Sequence, residues 1–313
     1  RDGTVTGVQT CALPISTFTF AGYEQARTFD YTRAGNPSRA LLADTIAQLE
    51  GGAGATITAS GMAAIDLVLG TLGRDDLIVA PHDCYGGTYR LIAARAAKGQ
   101  FNVAFVDQSD EAALAAALRG RPALVLIETP SNPLMRVVDI RAVSTRAKAA
   151  GAKVAVDNTF LSPALQRPIA RGADYVIHST TKYLNGHSDV VGGAVVAADP
   201  DDAAQLAEWS NITGVTGAPF DAFLTLRGLR TLFPRIAQQQ RTAGTIAAYL
   251  DQHPRVATTH YPGLASHPGH AIAQAQQTGF GAMLSFELAG GAEEVRQFVE
   301  AVEGFTLAES LGG

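Results

Sequence analysis

KVAVDNTFLSPALQRPIARGADYVIHSTTK, residues 153–182, decides the fold. Its two short apolar runs, KVAVD (153–157) and DYVIHS (174–179), are too brief for helices and do not alternate with polar residues. Such runs read as strands buried on both faces, which belong to a parallel sheet covered by helices on each side. Ligands in open sheets of this kind sit beyond the carboxyl ends of the strands. Asp157 closes the first run, and Thr180, Thr181 and Lys182 follow the second. A carboxylate and an amine are thus expected to face one cavity.

The same text extends in both directions. DLIVAP (76–81), NVAFVD (102–107) and ALVLIE (123–128) are further apolar runs, separated by helical stretches such as EAALAAALR (111–119) and IRAVSTRAKAAG (140–151). VVGGAVVAA (190–198) adds another strand. Upstream, Asn36 and Pro37 suit a helix start, Leu42, Ile46 and Leu49 share one face, and Gly51-Gly52 stops the helix. After ATITA, Ser60-Gly61-Met62 opens a helix whose free N–H groups and dipole favour a phosphate. Downstream, GLRTLFPRIAQQQRTAGTIAAYLDQ reads as one long helix leaving the sheet, and GAMLSFEL (281–288) as a strand of a smaller α+β unit that LAESLGG does not close. The expected division is an arm and first helix over 1–50, a large domain over 51–234 and the start of a small, truncated domain over 235–313. Residues 1–15 lack periodicity and read as foreign to the rest of the chain.

Composition narrows the function classes. With 47% hydrophobic and 17% charged residues, 313 residues suffice to bury a large core. A net charge of −5 supplies no broad basic surface, so nucleic acid and anionic membranes are not expected partners. No apolar run is long enough to span a bilayer, and the first residues lack the order of a secretory signal, so the expected location is the cytoplasm. Cys11 and Cys84 have no paired spacing, and His82, Cys84, His178 and His187 form no metal-ligand pattern, so no metal is expected.

Each chemical element is weak in isolation. A Ser-Gly turn is usually only a cap, a strand-end aspartate usually a turn former, and a lysine usually solvated. Their coincidence is what matters, and it extends to the wording of eight segments: FDYTRAGNPSR (29–39), ASGMAAI (59–65), PHDCYGGTYR (81–90), ETPSNPLMRVVDI (128–140), VAVDNTFLSPALQRP (154–168), HSTTKYLNGHSDVVGG (178–193), GLRTLFPR (228–235) and LAESLGG (307–313). In this order they resemble the Cys/Met-metabolism enzymes that use pyridoxal 5'-phosphate (PLP), from about Ser16 to the last residue.

That resemblance implies fold type I, the aspartate-aminotransferase-like architecture, and PLP as cofactor. It implies that Lys182 carries the cofactor covalently and later moves substrate protons, and that Asp157 pairs with the ring nitrogen. Ser60, Gly61, Met62, Ser179 and Thr181 match the phosphate cradle. Tyr31 and Arg33 match a pair that reaches the phosphate of a neighbouring subunit, implying a homo-oligomer built from dimers and in the family a tetramer. Tyr85 matches the aromatic stacked over the ring and able to exchange a proton with the substrate amine, and Asn132 a residue near the 3' oxygen.

Within the family the wording is nearest to γ-replacing synthases. Gly87 stands where methionine γ-lyases carry a cysteine, and Arg90 in CYGGTYR suits an acidic substrate arm such as succinate. Glu309 resembles a residue that engages the amino group of incoming cysteine. The implied reaction joins O-succinyl-L-homoserine and L-cysteine into L-cystathionine and succinate. Ala34, where close synthases often carry a second basic residue, leaves an acetyl ester or another thiol open. A cystathionine γ-lyase and a sulfhydrylase using sulfide are the rivals of the same class. Because the family's arginine for the substrate α-carboxylate falls beyond Gly313, a non-catalytic PLP-binding subunit is the rival from another class, and a cofactor-free α/β binding protein is the plainest alternative.

Overall fold

The computed structural model describes residues 15–313, so the reading of 1–15 as foreign lies almost wholly outside the described residues. Seven five-residue strands form one sheet: β1 (Gly54–Thr58), β2 (Leu77–Pro81), β3 (Asn102–Val106), β4 (Leu124–Glu128), β5 (Lys153–Asp157), β6 (Tyr175–Ser179) and β7 (Gly193–Ala197). Their spatial order is β1-β7-β6-β5-β4-β2-β3. β2 through β6 run parallel, while β7 is antiparallel to both β1 and β6. The sheet is therefore mostly parallel, as the unalternating apolar runs require.

Helices cover both faces: α1 (Pro37–Glu50), α2 (Gly61–Leu69), α3 (Gly86–Ala97), α4 (Glu111–Leu118), α5 (Ile140–Ala149), the single turn α6 (Ser162–Leu165), α7 (Pro200–Thr213) and α8 (Pro219–Leu229). Odd and even positions of each strand divide between two cores. Val154, Val156 and Val176 pack with Leu42 and Ile46 of α1 and Val143 of α5, whereas Ala155 and Ile177 pack with Ile65 of α2, Ile92 of α3 and Leu206 of α7. Full burial of such aliphatic side chains contributes about 1.5–3 kcal/mol each. α1 starts as its sequence requires: Asn36 accepts from the N–H of Ser38 at 3.0 Å, Pro37 occupies the first turn, and Gly51 ends the helix at φ +77°.

Two expectations about the C-terminal third change. The long helix is two helices, α8 and α9 (Leu232–Asp251), broken at Arg230–Thr231. The Gly228 carbonyl accepts from Thr231 N (3.1 Å), Thr231 Oγ1 (3.1 Å) and Arg235 Nη2 (2.9 Å), so side chains take over the acceptor that an unbroken helix would use. The strand expected over 281–288 is reduced to β9 (Ser285–Leu288). Gly281 adopts φ +82° and its carbonyl is taken by Tyr261 Oη at 3.0 Å, which turns residues 281–284 out of the ladder. β9 pairs antiparallel with β8 (Val256–His260), and α10 (His270–Gln276) and α11 (Ala292–Ala301) complete this region.

α9 spans the expected boundary at Pro234: Leu232 and Ile236 belong to the large core, while Ala243 and Ala247 pack with Tyr261 in a separate cluster. We propose that the division falls within α9. Among the described residues, no helix is long and apolar enough to cross a membrane.

Candidate active site

The parallel strands place their carboxyl ends in a row. Asp157, the last residue of β5, stands opposite Glu128 of β4 on one side and Ile177 of β6 on the other. Asp157 Oδ1 accepts from Thr159 N at 2.9 Å, and Thr159 Oγ1 in turn accepts from Ser179 N at 2.9 Å. Thr159 therefore ties the end of β5 to the end of β6, three residues before Lys182. It is a linking residue that sequence reasoning passed over, because a threonine two residues after a strand carries no signal by itself.

Beside this row lies the start of α2. Ser60 spends its hydroxyl on the helix, accepting from Ala63 N at 3.1 Å, and its carbonyl on Ala64 N. The N–H groups of Gly61 and Met62, orphans of the first turn, have no partner among the described residues and are free for an anion. Gly61 is needed here because a Cβ would come 2.7 Å from Ser179 Cβ and 3.0 Å from its Oγ. The Ser179 hydroxyl thus sits against the first turn of α2. Thr181 is committed elsewhere, with its Oγ1 donating to Gly192 O (3.2 Å) and accepting from Gly192 N (3.0 Å).

Tyr85 begins α3 and is about half exposed. A Cβ on Gly87 would lie 2.5 Å from the Tyr85 ring and 2.9 Å from Met62 Sδ, so glycine at 87 is what lets the ring lie back toward α2. Tyr85 N donates to Glu128 Oε2 at 2.8 Å, and Asn132 N donates to Glu128 Oε1 at 3.1 Å. Glu128 is thus the second site residue that sequence reasoning missed, although it opens the ETPSNP segment.

Lys182 Nζ donates to Ser310 Oγ at 2.8 Å, which brings LAESLGG onto the lysine and adds Ser310 to the site. Glu309 is close enough to act on the ammonium by charge. Arg90, one turn into α3, places Nη1 3.2 Å from where a Gly86 Cβ would stand, so its guanidinium lies over the first turn. Tyr31 and Arg33 are not gathered into this cleft of their own chain. Arg33 donates to the Asn211 carbonyl (2.5 Å) and side chain (2.8 Å) and lies 5.6 Å from the Tyr31 ring centre.

Burial sets the electrostatics. The Lys182 ammonium is lowered from its ordinary value by desolvation, partly opposed by Glu309, which favours the neutral, nucleophilic amine. Asp157 keeps some accessible surface toward the cleft, yet the protein packed around it pushes its carboxyl upward, against the hydrogen bonds from Thr159 and the more distant charge of His178. Burial and the neighbouring Asp157 push Glu128 to about 8. Nearby groups that could meet these acids are engaged elsewhere, Arg136 with Asp83 and His178 with Glu50. An acid held at a cleft without a cationic partner among the described residues, beside a helix start with free N–H groups and an amine of lowered basicity, suits a ligand with a cationic ring, an anionic arm and an electrophilic carbon. PLP fits on all three counts.

These shifts make stability depend on pH. Both carboxyls are raised in the folded state, so their contribution is fully present below the ordinary carboxylate range and is lost as pH rises through their raised values, about 8 for Glu128. Cofactor-stripped protein is expected to melt on the order of 5 °C lower at pH 8 than at pH 6, with a smaller drop when the cofactor's ring cation is present. Equal drops in thermal melts of the two forms would show that these acids do not face the cofactor.

Comparison with known proteins agrees with the geometry. The family described as Cys/Met metabolism PLP-dependent enzyme matches residues 2–313, taking in residues that the sequence reading had set apart. Cystathionine γ-synthase of Escherichia coli (strain K12) is 56% identical over 308 residues, 97% of this chain and 80% of that protein. Cystathionine β-lyase of Lactococcus lactis subsp. cremoris is 43% identical over 312 residues, 100% of this chain and 82% of its own. The crystal structure of cystathionine γ-synthase from Xanthomonas oryzae pv. oryzae in complex with cystathionine superposes with a TM-score of 0.94 at 58% identity, covering 96% of this chain and 79% of that one. This chain belongs to the Cys/Met-metabolism family of PLP-dependent enzymes.

Proposed function

We propose that the chain catalyses γ-replacement, converting O-succinyl-L-homoserine and L-cysteine into L-cystathionine and succinate. The observation that carries this reading is the close approach of Tyr85 and Met62 around Gly87. A side chain at 87, where methionine γ-lyases carry cysteine, has no room without displacing the Tyr85 ring. Arg90 on the same helix is exposed and suits a succinyl carboxylate. The relatives named cystathionine γ-synthase, one of them solved with cystathionine, support the same choice.

When bound, PLP withdraws electrons from the substrate carbons next to its point of attachment. Lys182 Nζ holds the cofactor, then takes a proton from the α carbon and another from the β carbon, and returns them in reverse order. Asp157 would pair with the cofactor's ring nitrogen and keep it protonated. Gly61, Met62, Ser60 and Ser179 would hold its phosphate at the start of α2, with Thr181 bracing the turn through Gly192. Tyr85 would stack on the ring and exchange a proton with the substrate amine, and Asn132 would serve the 3' oxygen. Arg90 receives the succinyl arm and Glu309 the amine of cysteine. In the net reaction the bond from Cγ to the ester oxygen breaks, the thiol sulfur bonds to Cγ, and the thiol proton leaves with succinate.

Tyr31 and Arg33, turned away from their own cleft, are proposed to complete the phosphate site of a second copy. The large exposed side chains Leu41, Ile212, Phe220 and Phe223 on α1, α7 and α8 provide apolar surface for that copy to cover. The free, buried Cys84 suits the reducing cytoplasm where we place the enzyme.

A cystathionine γ-lyase is the second reading, and the relative at 43% identity, named for β-elimination, shows that lyases occur in the same family. Three incubations decide between them: O-succinylhomoserine with cysteine, the same ester with sulfide, and cystathionine alone. Cystathionine from the first is the expected result. Breakdown of cystathionine with no synthesis from the first overturns the proposal, homocysteine from the second alone makes the enzyme a sulfhydrylase, and no turnover in any would mark a cofactor-binding subunit.

A further inference from the structure

We infer that Glu128 is the positioning residue of this site, a single carboxylate that clamps the Tyr85 and Asn132 loops to the strand end carrying Asp157. The inference rests on the proposed placement of the cofactor ring between Tyr85 and Asp157. Three observations carry it.

The first is register. Glu128 and Asp157 are paired last residues of adjacent parallel strands, so their side chains leave the same face of the sheet side by side. Two acids there would be mutually destabilising unless something held one of them for another purpose.

The second is that both Glu128 oxygens are spent, on different loops. Oε2 receives Tyr85 N at 2.8 Å, from the turn between β2 and α3, and Oε1 receives Asn132 N at 3.1 Å, from the turn after β4. Tyr85 precedes the first turn of α3 with no side-chain cap, so its N–H has no helical acceptor. A glutamine in the same place offers one oxygen and turns an NH2 toward the other donor. An aspartate keeps the charge but is one methylene shorter.

The third is charge. The groups facing Glu128 are Asp157 from β5, Asp83, Cys84 and Tyr85 from the turn before α3, and His178 from β6 beyond Asp157. Asp83 is met by Arg136 at 3.6 Å and by Ser131 Oγ at 2.7 Å, and His178 by Glu50 at 2.7 Å. Two acids are left facing the site with no ion pair to either among the described residues. Cys84 reports this field, its thiol being pushed up to about 12 by burial and then by Glu128, Asp83 and Asp157. A cationic ring bound there would draw both raised acids toward their ionised forms, so Glu128 reinforces what Asp157 does while fixing the loops around it.

The test uses the holoenzyme of the wild type, Glu128→Gln, Glu128→Asp and Asp157→Asn. The readouts are kcat and KM, the visible circular dichroism of bound cofactor, and the pH at which its visible band changes. Glu128→Gln is expected to lose roughly 10- to 100-fold in kcat, the cost of one charged hydrogen bond, with KM changed much less. Its dichroism should shrink because the ring loses its fixed neighbours, and its spectral change should move to lower pH because a negative charge is gone. Glu128→Asp should restore the pH of that change but not the dichroism, which separates charge from reach.

Wild-type kcat and spectra in Glu128→Gln overturn the inference. So does a loss confined to melting temperature, or failure of both Glu128 variants to fold, since Glu128 would then serve stability alone. If Asp157→Asn perturbs the spectrum and Glu128→Gln does not, only the role of Glu128 fails. If Asp157→Asn is also silent, the underlying placement of the ring fails with it.

Discussion

Lys182→Ala is expected to lower turnover by roughly three to four orders of magnitude, the upper range for removing a positioned proton-transfer group. The substitution removes the amine that the fold brings to the strand ends beside Asp157 and α2, and with it the base proposed to shuttle protons between substrate carbons. It also leaves Ser310 Oγ without the donor it has at 2.8 Å. Treatment of the wild type with borohydride, followed by peptide mass spectrometry, should find the cofactor fixed to residue 182. In Lys182→Ala no reduced adduct should form, although cofactor should still bind weakly through α2 and Asp157. An adduct that survives on a different lysine, with activity, would transfer the role to that residue. Because the Lys182 side chain is partly exposed, the substitution should leave the melting temperature of the cofactor-free protein nearly unchanged.

Asp157→Asn tests the opposite end of the ring. Removing one partner of a buried ion pair costs about 3–5 kcal/mol, which corresponds to roughly two to four orders of magnitude when the pair is needed in the transition state. Asparagine keeps the shape and can still accept from Thr159 N, so the tie to β6 survives and the loss reports charge. Asp157→Ala supplied with a cofactor methylated at the ring nitrogen, whose positive charge does not depend on an acid, should recover part of the lost rate. No recovery would mean that Asp157 acts by holding Thr159 and Ser179 in place. In the cofactor-free protein the sign reverses. The Asp157 carboxyl is raised by burial, so Asp157→Asn should stabilise the stripped protein more above the ordinary carboxylate range than below it.

The parts of the fold legible in the sequence are those set by short-range pattern. The runs at 76–81, 102–107, 123–128, 153–157 and 174–179 became strands within one residue of their expected limits, and the run at 190–198 lost three residues at its start, because burial on both faces leaves no other reading for a short unalternating run. Asn36, Pro37 and Gly51 marked the ends of α1 for equally local reasons. Failures came where a distant contact decides. The break between α8 and α9 depends on Arg235 reaching Gly228 and Tyr183, and the shortened β9 depends on the Tyr261 hydroxyl. The buried pair of His178 and Glu50, bridged to Asn158, joins residues 128 positions apart and underlies the strand ends without any signature in the amino-acid pattern.

The chain's wording alone determined that an aspartate ends one strand of a mostly parallel sheet, that a lysine follows the end of another, and that a small-residue turn opens a helix. Those follow from side-chain type and spacing, which are properties of a few consecutive residues. Tertiary structure alone decided that Glu128 stands beside Asp157 and holds two loops, that Ser310 meets Lys182, and that Arg33 turns to Asn211 instead of the cleft. Register across strands and the return of remote segments are fixed by packing of the whole core, and no local pattern of residues records them.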